Sequence, residues 1–382
     1  MPVIALNAIG RYTGGVESYI YNLVKALLDQ DQSNNYYLFM SKTQELVYKD
    51  LLAYKNLKLI SYNINCSNPF ARILCENTLL PLDVIKHKIN IVHHLCNYIP
   101  HISPYKSIVT VHDLCVFYYH NNFPEYNETK AGYNYFKKIG NFVASKAQKI
   151  ITVSEFTKRQ FLDKFRVDPR KLEVVGESYD TRKDKNIINP DILEKYNITK
   201  PYILTVSVIR PHKNFDFLVR VFNRLKAQYN LPHQLVIVGD VHFGPEKFFN
   251  ELEKSKFKDE ILYMGRVNDE DLSSIYNFAD IFVYPSLYEG FGIPLIEAMY
   301  FGVPVVSSNA ASLPEVGGNA CLYFNPCDEN DACNKIYTVL NNEVLKNNLV
   351  FNRKERLDHY SWNNIATRVL DIYNDVLGSK ND

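Results

Sequence analysis

Two glutamates eight positions apart, Glu289 and Glu297, and a cationic loop with Arg210, His212 and Lys213 are the side chains of this 382-residue sequence best suited to chemistry. Glu289 stands in the loop Leu287 to Gly292, whose glycines Gly290 and Gly292 let backbone approach a ligand, and Pro294 marks a helix start. Glu297 is expected in the first turn of that helix, where free N–H groups and the macrodipole favour anions such as phosphate. Carboxylates for hydroxyls beside amides for phosphate suit a sugar diphosphate; the competing reading is a capping loop whose glutamates complement the dipole. Arg210 to Lys213 precede another helix, and a cationic loop there either holds a diphosphate or is merely solvated. His112 and Asp113 end an apolar strand, as a base with its orienter or as an end-of-strand turn. Gly14 and Gly15 open a βα turn that lacks the third glycine of a dinucleotide fingerprint.

These residues need a scaffold that gathers loops at one edge. IFVYP reads as a buried parallel strand, PLIEAMYFG as a short helix and VPVVSS as the next strand, a compact βαβ unit. Val3 to Ile9 reads as a first strand, followed by a helix with Val16, Ile20, Leu23, Val24 and Leu27 on its buried face. Further strands are expected at Tyr36 to Met40, Leu57 to Tyr62, Ile89 to Leu95, Ser107 to Val111 and, after a polar stretch, Tyr202 to Val206. Alternation of this kind predicts doubly wound α/β domains, whose ligands lie beyond the carboxyl ends of the strands.

The run S-L-Y-E-G-F-G-I-P-L-I-E-A-M, with G-V-P-V-V and L-P-E-V after it, resembles the E-x7-E signature of retaining GT-B glycosyltransferases of family 4. T-G-G-V-E, T-V-H-D-L, T-V-S-E-F-T-K and P-H-K-N resemble its supporting segments, so the likeness spans residues 3 to 377. It implies a GT-B fold, two Rossmann-like doubly wound domains facing across a cleft: residues 1–180 binding acceptor, a linker at 181–200, residues 201–360 binding a nucleotide sugar, and a helix at 361–382 crossing back to the first domain. The implied reaction moves a hexose from a nucleotide diphosphate to a saccharide or lipid-linked acceptor with retention, in polysaccharide biosynthesis. Glu289 would hold sugar hydroxyls, Glu297 the ribose, Lys213 the departing diphosphate, and Gly265, Arg266 and Val267 the base. Gly290, Phe291, Gly292 and Glu315 would line the diphosphate. His112 would lie near the sugar or phosphate, Asp113 near the acceptor, and Gly14 and Gly15 near phosphate and acceptor. Arg210 is added from its closeness to Lys213, because Ser207 stands where some relatives carry a second cation. R-P-H-K-N resembles mannosyltransferase-like members, which favours GDP-mannose over UDP-linked sugars. The alternatives are a nucleotide-sugar epimerase or phosphorylase of similar shape, or a non-catalytic subunit that binds nucleotide sugar and scaffolds an active partner.

Composition narrows the partners. A chain of this length exceeds one ordinary core, so two domains are expected. With 43 Lys and Arg against 42 Asp and Glu, nothing calls for nucleic acid. Cysteines 66, 75, 96, 115, 321, 327 and 333 are scattered without metal-ligand spacing and read as reduced thiols. The pairs Asp29/Asp31 and Asp269/Asp271 read as helix-end charges, so no metal and no cofactor is expected. The start lacks a secretory pattern and no apolar run is long enough to span a bilayer, which predicts a cytoplasmic enzyme. Between Lys130 and Lys171 eleven Lys or Arg face three acidic residues, interleaved with Tyr133, Tyr135, Phe136, Ile139, Phe142 and Val143. That segment reads either as a peripheral contact with an anionic membrane or as a solvated helix face.

Overall fold

Short runs of Val, Ile, Leu and Tyr, apolar on both faces and separated by helices, form parallel sheets. The computed structural model describes residues 1–378 except Arg11, Thr13, 66–67, 127–128 and Lys200. Its chain divides into two units, one of Met1–His120, Asn127–Glu177 and Tyr360–Asp382, the other of Asn121–Tyr126 and Ser178–His359.

The first unit holds Val3–Ala8 (β1), Asn35–Ser41 (β2), Leu57–Tyr62 (β3), Ile91–His94 (β4), Lys106–Val111 (β5), Lys149–Thr152 (β6) and Leu172–Val174 (β7), in sheet order β3-β2-β1-β4-β5-β6-β7. All its pairs are parallel, with Ile4 between Tyr36 and Ile91 at the centre. Side-chain alternation splits the core between two faces. Ile4, Leu6 and Ile108 meet helices Gly15–Gln30 and Trp362–Gly378 on one side. Ala5 and Val92 meet Cys75, Leu80 and Val84 of helix Pro69–Lys86 on the other, while Val109 and Ile150 meet Ile139 and Val143 of helix Thr129–Lys146.

The second unit holds Tyr202–Val206 (β8), Gln234–Val238 (β9), Ile261–Tyr263 (β10), Ile281–Tyr284 (β11), Val305–Ser308 (β12) and Cys321–Phe324 (β13), in order β10-β9-β8-β11-β12-β13 and again wholly parallel. Helices Phe215–Tyr229 and Glu329–Leu340 cover one face through Leu218, Phe222, Leu225, Ile336 and Val339.

Residues 181–199, read from sequence as a linker, belong to the second unit. The Asn189 N–H donates to Ser274 Oγ (3.1 Å), Asn277 Nδ2 donates to the Ile187 carbonyl (3.1 Å), and Lys195 and Tyr196 both reach Asp271 (2.7 and 2.6 Å). Polar bonds rather than an apolar stripe fix this segment to helix Asp269–Asn277, so hydropathy does not reveal it. No helix among the described residues is long and apolar enough to cross a membrane. No disulfide joins the six described cysteines to one another, and Cys66 lies outside the described residues.

Candidate functional site

Strand order in the second sheet reverses between β8 and β11, and ligands of open α/β sheets bind beyond the carboxyl ends at such a reversal. The loops that leave these two strands carry Arg210–Asn214 and Pro285–Gly292. Hydrogen bonds lock them together. The Leu287 N–H donates to the His212 carbonyl (2.7 Å), and Asn214 Nδ2 donates to the carbonyls of Pro285 and Pro326 (3.2 and 3.0 Å). Ser312 Oγ donates to the carbonyls of Glu289 and Phe291 (3.0 and 2.8 Å), fixing the glycine-rich stretch from beneath. Gly292 caps helix Ile293–Phe301 at φ 109°, where a Cβ would meet Leu313 Cδ2 at 2.7 Å, so both conformation and space require glycine.

Lys213 Nζ stands 2.6 Å from Glu289 Oε1 and donates to the Tyr284 hydroxyl at 3.1 Å; that hydroxyl also donates to Glu289 Oε1 (2.8 Å). Both charged side chains are about nine-tenths buried, at 11% exposure each. Burial alone would depress the ammonium, but the Glu289 charge and the Tyr284 hydroxyl outweigh it, and Lys213 is held above the ordinary lysine range. His212, buried between Lys213 and Arg210, is pushed well below the usual histidine range and is neutral. Arg210 lies over the Phe243 ring (5.4 Å) with its Nε buried and unbonded.

Glu297 is placed differently from expectation. Its helix begins at Ile293, ahead of Pro294, so the carboxylate falls in the second turn, beyond the free N–H groups. It pairs instead with Lys183, at 13% exposure against 5% for the glutamate, and accepts from Tyr276 (3.3 Å). Burial lowers Lys183, and the Glu297 charge and hydrogen bond more than reverse that, leaving its pKa raised. Glu289 and Glu297 thus answer to separate lysines.

Gly265 sits at φ 63° with open space where a Cβ would be, its carbonyl accepting from the Gly239 N–H (2.8 Å); Arg266 is exposed and Val267 buried. Glu315 lies in the short helix Leu313–Gly317, whose carbonyls at Glu315 and Val316 accept from Arg356 (2.7 and 2.9 Å).

In the first unit the strand order reverses between β1 and β4. Gly14, at φ 63° with open space about it, caps the helix that starts at Gly15. His112 and Asp113 do not form a base with its orienter. His112 Nδ1 meets Glu177 Oε1 (2.6 Å) and Nε2 meets the Leu95 carbonyl (2.8 Å), two acceptors that make the ring a doubly protonated cation. Burial opposes that charge and Glu177 overcomes it, raising the pKa. The Asp113 carboxylate accepts from the Cys115 N–H (2.9 Å), the end-of-strand turn of the alternative reading.

Tyr284, Lys183, Ser312 and Glu177 are the participants that sequence reasoning missed. The tyrosine hides in an apolar strand run, and Lys183 in a stretch read as linker. No cluster of three or more His, Cys, Asp or Glu suited to a metal occurs among the described residues.

Residues 13–183 match the family model described as Glycosyltransferase Family 4, and residues 189–356 that of the glycosyl transferases group 1. The chain is similar to O-antigen chain mannosyltransferase B of Escherichia coli, 30% identical over 282 residues that make up 72% of each chain. It is 26% identical over 288 residues to the serotype-specific mannosyltransferase WbdA of Escherichia coli, covering 73% of this chain and 34% of that one, so it spans about a third of that relative. The crystal structure of a glycosyltransferase from Rickettsia africae ESF-5 shares the fold over 99% of both chains, with a TM-score of 0.76 at 21% identity.

Proposed function

We propose, because this chain belongs to glycosyltransferase family 4 and is a GT-B glycosyltransferase, that it transfers mannose from GDP-mannose to a saccharide or lipid-linked acceptor, with retention and without a metal. The observation that carries this reading is the Lys213–Glu289–Tyr284 cluster on the locked loops at the β8/β11 reversal. When the bond to the anomeric carbon breaks, negative charge gathers on the departing diphosphate. Lys213, Arg210 and the amides of Gly290, Phe291 and Gly292 are the groups that stabilise it. An arriving diphosphate competes with Glu289 for Lys213, which frees the carboxylate to accept from sugar hydroxyls. Glu297 takes the ribose, and Gly265, Arg266 and Val267 the base. The His112 cation and the Gly14–Gly15 turn serve sugar and phosphate, with Asp113 and Glu315 in supporting positions. Neither glutamate is assigned as a nucleophile, since a glycosidase-like pair would flank the scissile bond and these two follow one strand in the same loop–helix unit.

Mannose rests on the names of the relatives and on R-P-H-K-N; GDP rests on the latter alone. A peripheral contact with an anionic membrane would use Lys137, Lys138 and Lys146, which are exposed, whereas Lys149 is engaged with Glu173 and Asp375 (3.0 Å each). A donor panel with hydrolysis and transfer readouts tests the proposal. GDP-mannose is expected to lead, the product to keep the donor's anomeric configuration by NMR, and the rate to survive EDTA. Inverted product, or a rate abolished by EDTA and restored by a divalent cation, overturns the corresponding part.

A further inference from the structure

A short strap of the second unit, residues 179–185, runs across the helix that carries Glu297. Glu297 and Tyr300 lie three positions apart and so share one face of helix Ile293–Phe301. Tyr179 stacks on the Tyr300 ring with centres 3.9 Å apart and planes at 14°, and Lys185 Nζ lies 5.2 Å from the centre of the same ring. Between these two contacts Lys183 meets Glu297 Oε1. The strap is also tied to helix Asp269–Asn277, where Asn277 Nδ2 donates to the Lys185 carbonyl (2.9 Å). Its turn is set from within: the Lys183 N–H donates to the Asp180 carbonyl (3.1 Å), and the Asp180 carboxylate accepts from the Arg182 N–H (3.1 Å) and guanidinium (2.7 Å). Contacts that would stand without the ion pair therefore present Lys183 to Glu297.

The other oxygen of the glutamate is held from the opposite partner. Glu297 Oε2 accepts from the hydroxyl of Tyr276 (3.3 Å), a fully buried side chain whose ring lies parallel to that of Phe301 at 4.9 Å. A carboxylate offers about four lone-pair sites. Lys183 takes one on Oε1 and Tyr276 one on Oε2, and no further hydrogen bond reaches Glu297 among the described residues. One site on each oxygen is left, which is what two adjacent hydroxyls, each donating, require. Lys183 also supplies the counter-charge without which a carboxylate at 5% exposure would be buried and unpaired. Expelling the lysine would strand both charges, so a ligand gains more by adding to the pair than by replacing it.

We propose that Lys183 is a positioning residue for donor recognition: with Tyr276 it fixes the ionised Glu297 carboxylate so that the 2′,3′-diol of a ribose is read by charge-assisted hydrogen bonds, and it stays in place when the nucleotide binds. Such bonds are roughly twice as strong as neutral ones, so the strap sets how strongly ribonucleotides are preferred to deoxyribonucleotides. The proposal rests on the reading of Glu297 as the ribose-binding group and adds to it the residue that makes the carboxylate selective.

Calorimetry on the full chain with GDP, UDP and the 2′,3′-dideoxy form of each tests it, the more tightly bound nucleotide setting the pair to follow. The parent should prefer the ribonucleotide by about 30-fold or more, because two bonds to a charged group are lost together. Glu297→Ala should abolish that preference. Lys183→Met should cut it by about tenfold while the dideoxy compound binds as before to within about twofold; Lys183→Arg, which keeps the charge, should retain most of it. Tyr276→Phe should cut it by about threefold. Melting temperature and circular dichroism report whether each variant is folded, and where Lys183→Met melts below the assay temperature Lys183→Gln is read in its place. A lysine that merely fastens the strap would weaken both nucleotides alike; an unchanged ratio in the folded variants overturns the proposal. Tighter ribonucleotide binding by Lys183→Met overturns it too, and makes the lysine a plug that the ribose must displace. A preference that depends on Glu297 and ignores Lys183 removes the proposal alone, whereas a parent that binds both forms equally removes the ribose reading of Glu297 and the proposal with it.

Discussion

Lys213 and Glu289 neutralise each other in a place water barely reaches, so removing one strands the other. Breaking a buried pair costs on the order of 3–5 kcal/mol, and losing a group that stabilises developing charge slows turnover by about 100- to 1000-fold. Lys213→Met is therefore expected to lose both stability and rate, and adding Glu289→Gln to it should restore much of the melting temperature and none of the rate. Recovery of both in the double variant, read by calorimetry and product release, would show that the lysine serves folding alone. His112 makes a prediction in pH. Its folded pKa is raised, so its contribution is complete below the unfolded value of about 6.5 and is lost as pH rises through the folded one. Glu177→Gln should thus lower the melting temperature most in mild acid, with a gap that narrows towards alkaline pH; a constant gap contradicts the ion pair. Lys213 and Glu289 could be read from the sequence because charged residues at strand ends stand out against apolar runs. Tyr284 could not, since tyrosine in a strand passes for core, and neither could Glu177, which lies 65 positions from the histidine it charges.

At the scale of elements, the strands and the switch from one αβ series to the next were legible because parallel strands buried on both faces read as continuous apolar runs. Residues 181–199 were not, because the bonds that hold them are between polar groups such as Asn189 and Ser274, and a polar composition looks the same whether docked or free. The exposure of Phe70, Leu74, Leu82 and Ile85 on helix Pro69–Lys86 was not legible either, because apolar residues at helical spacing look alike in sequence whether they face core or solvent. The loop–helix junction at Gly292 gives the element-scale prediction. Gly292→Ala forces a side chain into left-handed backbone against Leu313 and should cost about 1–2 kcal/mol or more in urea denaturation. Donor binding should weaken with it, because Phe291 and Gly290 share the same locked turn. A variant as stable and as tightly binding as the parent would mean the turn relaxes freely.

Across the whole molecule, the first unit is completed by helix Trp362–Gly378, which follows the entire second unit in sequence. Trp362, Ile365, Ala366, Val369, Ile372, Tyr373 and Val376 lie in its core, Tyr373 bonds to His93 (2.7 Å), and Lys106 donates to the Val376 carbonyl (2.8 Å). At about 1.5–3 kcal/mol for each larger side chain, their burial amounts to on the order of 10 kcal/mol, comparable to the entire stability of a domain. A chain ending at Tyr360 should therefore lack a folded first unit, seen as rapid proteolysis within residues 1–177, and equal resistance to protease would contradict this.

The same helix sets an order of events during synthesis. A ribosome emits the N-terminal part first, and domains ordinarily fold as they emerge. Here the segments carrying Tyr19, Leu23 and Val24 emerge long before the residues that cover them, and the whole second unit is made in between. At about 5–20 residues per second, a nascent chain carries that uncovered sheet face for on the order of 10–40 s. The unit made second thus finishes first, and the one made first waits for residues 362–376 to emerge, open to chaperones until then.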